Sequence, residues 1–321
     1  MTRIAAIDCG TNSIRLLVAD ADSRDGRPVL HDLTRQMRIV RLGQGVDRSG
    51  VLAPEAIERT MTAVREYKGI IDEFGCRALR FVSTSAVRDA SNREDFIGAV
   101  VQVLGIEPEV VPGHEEAALS FAGAVSGVAP RWPRPLMVVD IGGGSTELVL
   151  GRTSVDCAIS VDMGSVRVTE KFFHDCHPEA GIPAAAEARA ITWIDERLDE
   201  AAAVVDLTKV GTLVGVAGTV TTVTAQALGL VDYQPSRIDG AVLTLEEIRK
   251  AVRFMVDEPV SVKAALGFMP RGRADVIAGG ALIWSRIVER VAAATGGQGR
   301  GIDRVLTSEH DILDGIALSL L

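Results

Sequence analysis

With 321 residues, 47% of them hydrophobic and only 4% aromatic, the chain is long enough for two cores built from Ala, Val, Ile and Leu, and this composition predicts an α/β fold in two domains. A net charge of −9 argues against nucleic acid or an anionic membrane as a general partner, because both call for an extended basic field. No apolar run approaches the roughly 20 residues that span a bilayer, MTRIAAIDCG lacks the features of an export signal, and Cys9, Cys76, Cys157 and Cys176 have neither metal nor redox spacing, so the expected setting is the cytoplasm.

The first segment, Ile4 to Asp20, is a pair of apolar runs around Asp8-Cys9-Gly10-Thr11-Asn12-Ser13 and reads as a β-hairpin. A second strand region is predicted over Val29–Leu42. A helix follows from Pro54, with Ile57, Met61, Val64, Ile71 and Phe74 on one face and Gly75 as its stop. Leu79–Ser83 and Ile106–Val111 read as strands around a helix near Asn92–Leu104, and Gly113-His114-Glu115-Glu116 opens another helix. Three prolines between Pro130 and Pro135 mark a connection between domains.

Past that connection the hairpin pattern starts again. Over Leu136–Leu150, Asp140 matches Asp8, Gly142 matches Gly10, Ser145 matches Ser13 and Leu148 matches Leu16, with apolar flanks on both sides. The repeat implies duplication. Further helices are expected at Ala184–Val204, at Leu245–Asp257 behind a Thr244/Glu247 capping box, at Ala274–Ala294 and at Ile312–Leu321.

Turns built from Gly10, Thr11, Asn12 and Ser13, and from Gly142, Gly143, Gly144 and Ser145, offer N–H groups and hydroxyls to phosphate oxygens with little side-chain bulk in the way. Asp8 and Asp140, each ending a strand, are candidate ligands of a hydrated Mg²⁺, which prefers few carboxylates plus water and phosphate oxygens. Glu147 is placed to assist Asp140, or it is an ordinary strand residue. Gly218 and Thr219, between an apolar strand at Leu213–Val216 and a helix, form a third candidate phosphate contact; in the plainer reading Gly218 serves geometry and Thr219 is an N-cap. Arg15, Arg38, Arg41, Arg167, Arg271 and Arg273 are candidates for guiding a long anion.

The turns DCGTNSIRLLV and DIGGGSTELVLG, with GVAGTVT behind them, resemble the phosphate loops of the actin/Hsp70/sugar-kinase superfold. STSAVRDASN, PGHEEA, MGSVRVTE, PRGRADVIAGGALI and LTSEHDILDGIALSLL are similar, in order and over nearly the whole chain, to signatures of the Ppx/GppA family of exopolyphosphatases and guanosine pentaphosphate phosphohydrolases. The resemblance implies two ribonuclease-H-like lobes, 1–128 and 136–305, with 306–321 returning to the first and the active cleft between them. It makes Glu116 the general base and Arg88 a clamp on phosphate oxygens. From the residues alone, Glu116 and Glu115 are equally good first-turn acids, and Arg88 is a partner for Asp89. Hydrolysis of the terminal phosphate of inorganic polyphosphate, with Mg²⁺ and as a homodimer, is the implied activity, and guanosine pentaphosphate is the alternative substrate. An alarmone- or polyphosphate-binding sensor of weak activity is a reading of another class. Gly279-Gly280 keeps an ATP-dependent kinase or chaperone-like reading open. His310-Asp311 with Asp314 suggests an HD metal site but lacks the further histidines that such a site needs.

Overall fold

The computed structural model describes residues 2–24, 27–297, 299 and 301–321. The chain gathers into two compact units, Met1–Gly123 with Ile312–Leu321, and Ala124–Asp311. Residues 124–128 and 306–311 therefore group with the second unit, a shift from the boundaries read off the sequence.

In the first unit, β1 (Thr2–Cys9), β2 (Ser13–Arg24) and β3 (Arg27–Ile39) form an antiparallel meander. They are followed by α1 (Val46–Ser49), α2 (Pro54–Phe74), β4 (Ala78–Ser83), α3 (Ser85–Asp89), α4 (Arg93–Leu104), β5 (Glu109–Val110) and α5 (Gly113–Gly127), within which the boundary between the units falls. β4 runs parallel to β1, and β5 parallel to β4, giving the order β3-β2-β1-β4-β5. The predicted strand 106–111 contracts to two residues because Pro108 and Pro112 bracket it and neither has an N–H for the ladder.

β1 is apolar on both faces because both are covered. Ala5, Ile7 and Cys9 pack with Tyr67, Phe81 and Phe96, whereas Ile4 and Ala6 pack with Val82, Leu119 and Ile316. A strand buried in this way reads as a continuous apolar run rather than an alternating one, and each large apolar side chain so buried stabilises the fold by about 1.5–3 kcal/mol.

In the second unit, β6 (Leu136–Ile141), β7 (Thr146–Gly151) and β8 (Val155–Val161) repeat the meander. Next come α6 (Ser165–Val168), which continues into a π-helical turn, α7 (Ala184–Val204), β9 (Thr212–Val216), α8 (Ala217–Ala227), α9 (Pro235–Ile238), β10 (Val242–Thr244), α10 (Leu245–Asp257), α11 (Val260–Ala264), α12 (Ile277–Gly296) and β11 (Arg304–Thr307). Helix α13 (Ile312–Leu318) belongs to the first unit. Its Gly315 lies so close to α5 that a methyl group there would be 2.6 Å from the Leu119 carbonyl carbon.

The second sheet has the order β10-β11-β9-β6-β7-β8. Around β6 the pattern of the first sheet recurs, with two antiparallel neighbours on one side and two parallel ones on the other. Even the turn bond is duplicated: Gly10 N–H donates to Ser13 O at 2.9 Å, and Gly142 N–H to Ser145 O at 3.0 Å. This is the ribonuclease-H-like arrangement, once in each unit. Pairing of β11 with β9 also explains why residues 306–311 leave the first unit.

Candidate active site

In the first unit, β1, β4 and β5 run parallel, so their carboxyl ends share the edge where ligands bind in open α/β sheets. Backbone bonds hold those ends in register: Thr84 N–H donates to Cys9 O at 3.2 Å, and Val111 N–H to Ser83 O at 3.1 Å. Thr11 of the hairpin turn shares a 2.9 Å hydroxyl–hydroxyl bond with Ser85. One turn of α3 further on, Arg88 Nη1 donates to Val111 O at 3.1 Å and to Glu116 Oε2 at 3.0 Å. Its Nε is only 4.0 Å from Asp89, so the neighbour pair is the weaker contact.

The choice between the two glutamates is made by side-chain direction. Glu115 points to Arg80 at 2.8 Å and is 40% exposed, whereas the Glu116 side chain is 9% exposed. Arg88 and Glu116 therefore meet, next to the strand ends. The Ser83 hydroxyl and Asn12 Oδ1 are buried without a hydrogen-bond partner among the described residues, capacity that a ligand of this edge can use. Burial, and then the charge of Asp8, push the Cys9 thiol well above its usual range, so it stays protonated and unreactive.

Asp8 stands opposite Arg15 in the β1–β2 register, and its Oδ2 accepts from Arg15 Nε at 2.9 Å and Nη2 at 2.7 Å. In the second unit the same position holds a different pair. Asp140 stands opposite Glu147, and both are buried. Directly opposed residues of an antiparallel pair project from one face with Cβ atoms about 4.5–5.5 Å apart. Ser160 donates to Glu147 Oε1 at 2.7 Å and orients it, so Glu147 is not a solvent-facing strand residue.

The glycine turn of the second unit is fastened through its carbonyls. Gly142 O accepts from Ser165 N at 3.0 Å, Gly143 O from Val166 N at 2.9 Å and Arg167 N at 3.2 Å, and Gly144 O from Arg167 Nε at 3.0 Å. Those bonds commit the turn's carbonyl acceptors, and the Gly142 N–H is spent on Ser145 O, beside the buried Ser145 side chain. Gly218 lies under the Arg273 guanidinium, which donates to Gly218 O at 3.2 Å and Thr222 Oγ1 at 3.0 Å. Thr219 is within the first turn of α8, whose N-cap is Val216, so the N-cap reading of Thr219 does not hold.

Other readings meet packing. Methyl groups at Gly279 and Gly280 would lie 2.8 Å from Ser165 O and 2.6 Å from Thr219 Oγ1, so both glycines let α12 approach α6 and α8. His310 packs on Gly127, and buried Asp314 forms a 2.7 Å ion pair with Arg35. Arg38 is spent on exposed Glu66. Among the described residues no three His, Cys, Asp or Glu side chains gather as metal ligands. Mg²⁺ needs fewer, and the opposed Asp140 and Glu147 suit it. The Arg15 pairing of Asp8 and the Ser160 support of Glu147 were missed by the sequence reading, although counting residues across each hairpin identifies the opposed positions.

A model of the Ppx/GppA phosphatase family matches residues 17–296. The chain belongs to the Ppx/GppA phosphatase family. It is 43% identical to exopolyphosphatase 2 of Mycobacterium tuberculosis, over 100% of this chain and 99% of that one. Among solved structures, an exopolyphosphatase-like protein superposes with a TM-score of 0.93 at 42% identity, covering 99% of this chain and 98% of that one. The Ppx/GppA enzyme of Aquifex aeolicus superposes with a TM-score of 0.77 at 30% identity, covering 99% of each. The Ppx/GppA match takes in Arg88, Glu116, Asp140 and Glu147, and the full-length relatives extend it over the Asp8 turn. Among the described residues, no helix is long and apolar enough to cross a membrane.

Proposed function

We propose that this chain is an exopolyphosphatase, removing the terminal phosphate of inorganic polyphosphate by water attack. What carries the reading is buried Glu116 held by Arg88 at the carboxyl edge of the first sheet, in a chain that matches an exopolyphosphatase over its whole length. Glu116 takes the proton of the attacking water. The new bond joins water oxygen to the terminal phosphorus, and the bridging P–O bond breaks to leave a chain shorter by one phosphate. Arg88 transfers hydrogen bonds from the carboxylate to phosphate oxygens and offsets charge as the bond breaks.

The turns Gly10–Ser13 and Gly142–Ser145, with Gly218 and Thr219, supply donors to phosphate oxygens. Asp140 and Glu147 would hold Mg²⁺, which would supply charge neutralisation to those oxygens. Guanosine pentaphosphate is the alternative substrate, because an anhydride terminus presents the same oxygens to such turns, and the expected assembly is a cytoplasmic homodimer, whose oligomeric state sizing chromatography tests.

The decisive assay is phosphate release with Mg²⁺ from long and short polyphosphate, guanosine pentaphosphate and ATP. Glu116→Gln is expected to retain polyphosphate binding and to lose turnover by about 10²–10⁴-fold. Wild-type release from that variant removes Glu116 from the mechanism, and release only from the nucleotide moves the substrate to guanosine pentaphosphate.

A further inference from the structure

The second unit has a groove of about 500 Å³ that shares no lining residue with the site described above. It lies between α7 and α10, both of which pack on α12, and its volume falls within the roughly 300–1,000 Å³ of small-molecule sites. α10 lines it with Glu246, Arg249, Lys250 and Arg253, and α12 with Leu282, Ser285, Arg286 and Glu289. Residues three and four apart share one helix face, and a face turned toward neighbouring helices is ordinarily apolar. Here it is largely charged, above an aliphatic floor of Ile191, Val252 and Leu282.

The charges of the groove are unevenly matched. Arg253 is committed twice, to Glu187 at 2.6 and 3.1 Å and to Asp257 at 2.5 and 2.9 Å. Arg286 likewise holds Asp195 through two 2.9 Å bonds and Glu289 at 2.5 Å. Arg249 and Lys250 have looser contacts: 3.4 and 3.6 Å to one shared carboxylate, Glu246, and 3.8 Å from Arg249 to Glu289, which Arg286 already holds. Two cations therefore share one carboxylate. Arg249 also stands one helical turn from Arg253, and like charges at that spacing destabilise a helix.

We propose that this groove binds a small aliphatic carboxylate, with its head group on Arg249 and Lys250 and its hydrocarbon on Ile191, Val252 and Leu282. A ligand carboxylate supplies the anion that those two cations lack, and a guanidinium takes it through paired donors. Drawing Arg249 from Glu289 leaves that glutamate with Arg286, so the exchange orphans no charge. The ligand carries a single charge, because Glu187, Glu246 and Glu289 in the same lining repel a second. Among the described residues no aromatic side chain lines the groove, so it offers a nucleobase no stacking surface. The occupant is thus chemically distinct from a phosphate chain or a nucleotide. This inference concerns binding alone and does not rest on the hydrolase reading.

The test is calorimetric titration of the full chain with octanoate, acetate, octanol and inorganic phosphate. Octanoate is expected to bind one to one. Each of the others should bind at least about 10-fold more weakly, since acetate and phosphate lack the chain and octanol lacks the charge. Arg249→Glu, at an exposed position, should weaken octanoate by roughly 10- to 100-fold. Ser285→Phe, which fills the groove, should abolish binding, and Lys68→Gln in the first unit should change nothing. In wild type, the methyl resonances of Ile191, Val252 and Leu282 should shift on adding octanoate, which places the ligand even if a variant fails to fold. Wild-type affinity in Arg249→Glu overturns the proposal, as do equal binding of octanol, tighter binding of phosphate than of octanoate, methyl shifts confined to other residues, or no octanoate binding at all.

Discussion

Replacing Gly164 with alanine tests whether the glycine turn of the second unit takes part in the chemistry. Gly164 precedes α6 with an extended backbone, φ −140° and ψ 170°, which alanine adopts freely, so the effect of the change is collision alone. The added methyl would lie 2.5 Å from Gly144 N and closer still to the Gly143 carbonyl. Non-bonded carbon contacts settle at about 3.5–4.0 Å, so the turn and the segment behind it must separate by roughly 1 Å. The bonds from Ser165, Val166 and Arg167 to the carbonyls of this turn would stretch together. Overpacking of this size costs about 1–3 kcal/mol. Misplacing groups that orient a substrate by about 1 Å costs on the order of 100-fold in rate. The expected outcome is a kcat for polyphosphate near one hundredth of wild type in a protein that still melts cooperatively, a few degrees lower. Phosphate release at saturating polyphosphate, paired with a circular dichroism melt, reads both. A folded Gly164→Ala with wild-type kcat would refute the argument that this turn positions the reacting phosphates.

Gly315→Ala places a methyl against the backbone of Leu119, which has no rotamer to escape into. A loss of about 3 kcal/mol or more by urea unfolding is expected, although an exposed helix site would gain roughly 1 kcal/mol from the same change; a gain would show that α13 yields freely. Lys263→Met removes a buried ammonium that donates to Met255 O at 3.0 Å, a carbonyl whose ordinary helical donor would be residue 259, a proline with no N–H. Orphaning that carbonyl should cost about 1–3 kcal/mol. Burial lowers the pKa of Lys263, so between its folded and unfolded values the unfolded chain binds more protons. Wild-type stability relative to the variant should therefore rise with pH through that alkaline window, and a difference in melting temperature that falls with pH would contradict the assignment.

Local chemistry was legible where a few neighbouring residues settle the outcome. Thr244 and Glu247 form both halves of the predicted capping box, and α7 and α10 have the predicted ends because their apolar stripes stop there. The repeat around Asp8 and Asp140 foretold two hairpins of one design. What escaped depends on partners distant in sequence. β11 enters the second sheet between β10 and β9, the latter nearly a hundred residues earlier. Helix α12 starts three residues late, at Ile277, because 271–276 are turns. Glu115 and Glu116 are alike as letters, and the arginine that each one reaches separates them.

The return of α13 to the first unit has a consequence for synthesis. Ile4, Ala6, Leu17 and Val82 are covered in part by Ile312, Leu313 and Ile316. During translation these cover residues leave the ribosome only after Ala124–Asp311 has been made. At about 5–20 residues per second that delay is roughly 10–40 s. For that time a nascent first unit presents an apolar sheet face with its last helix missing, which is the kind of surface that chaperones hold and that neighbouring chains stick to. The topology therefore makes completion of the earliest-made domain the last event in its folding.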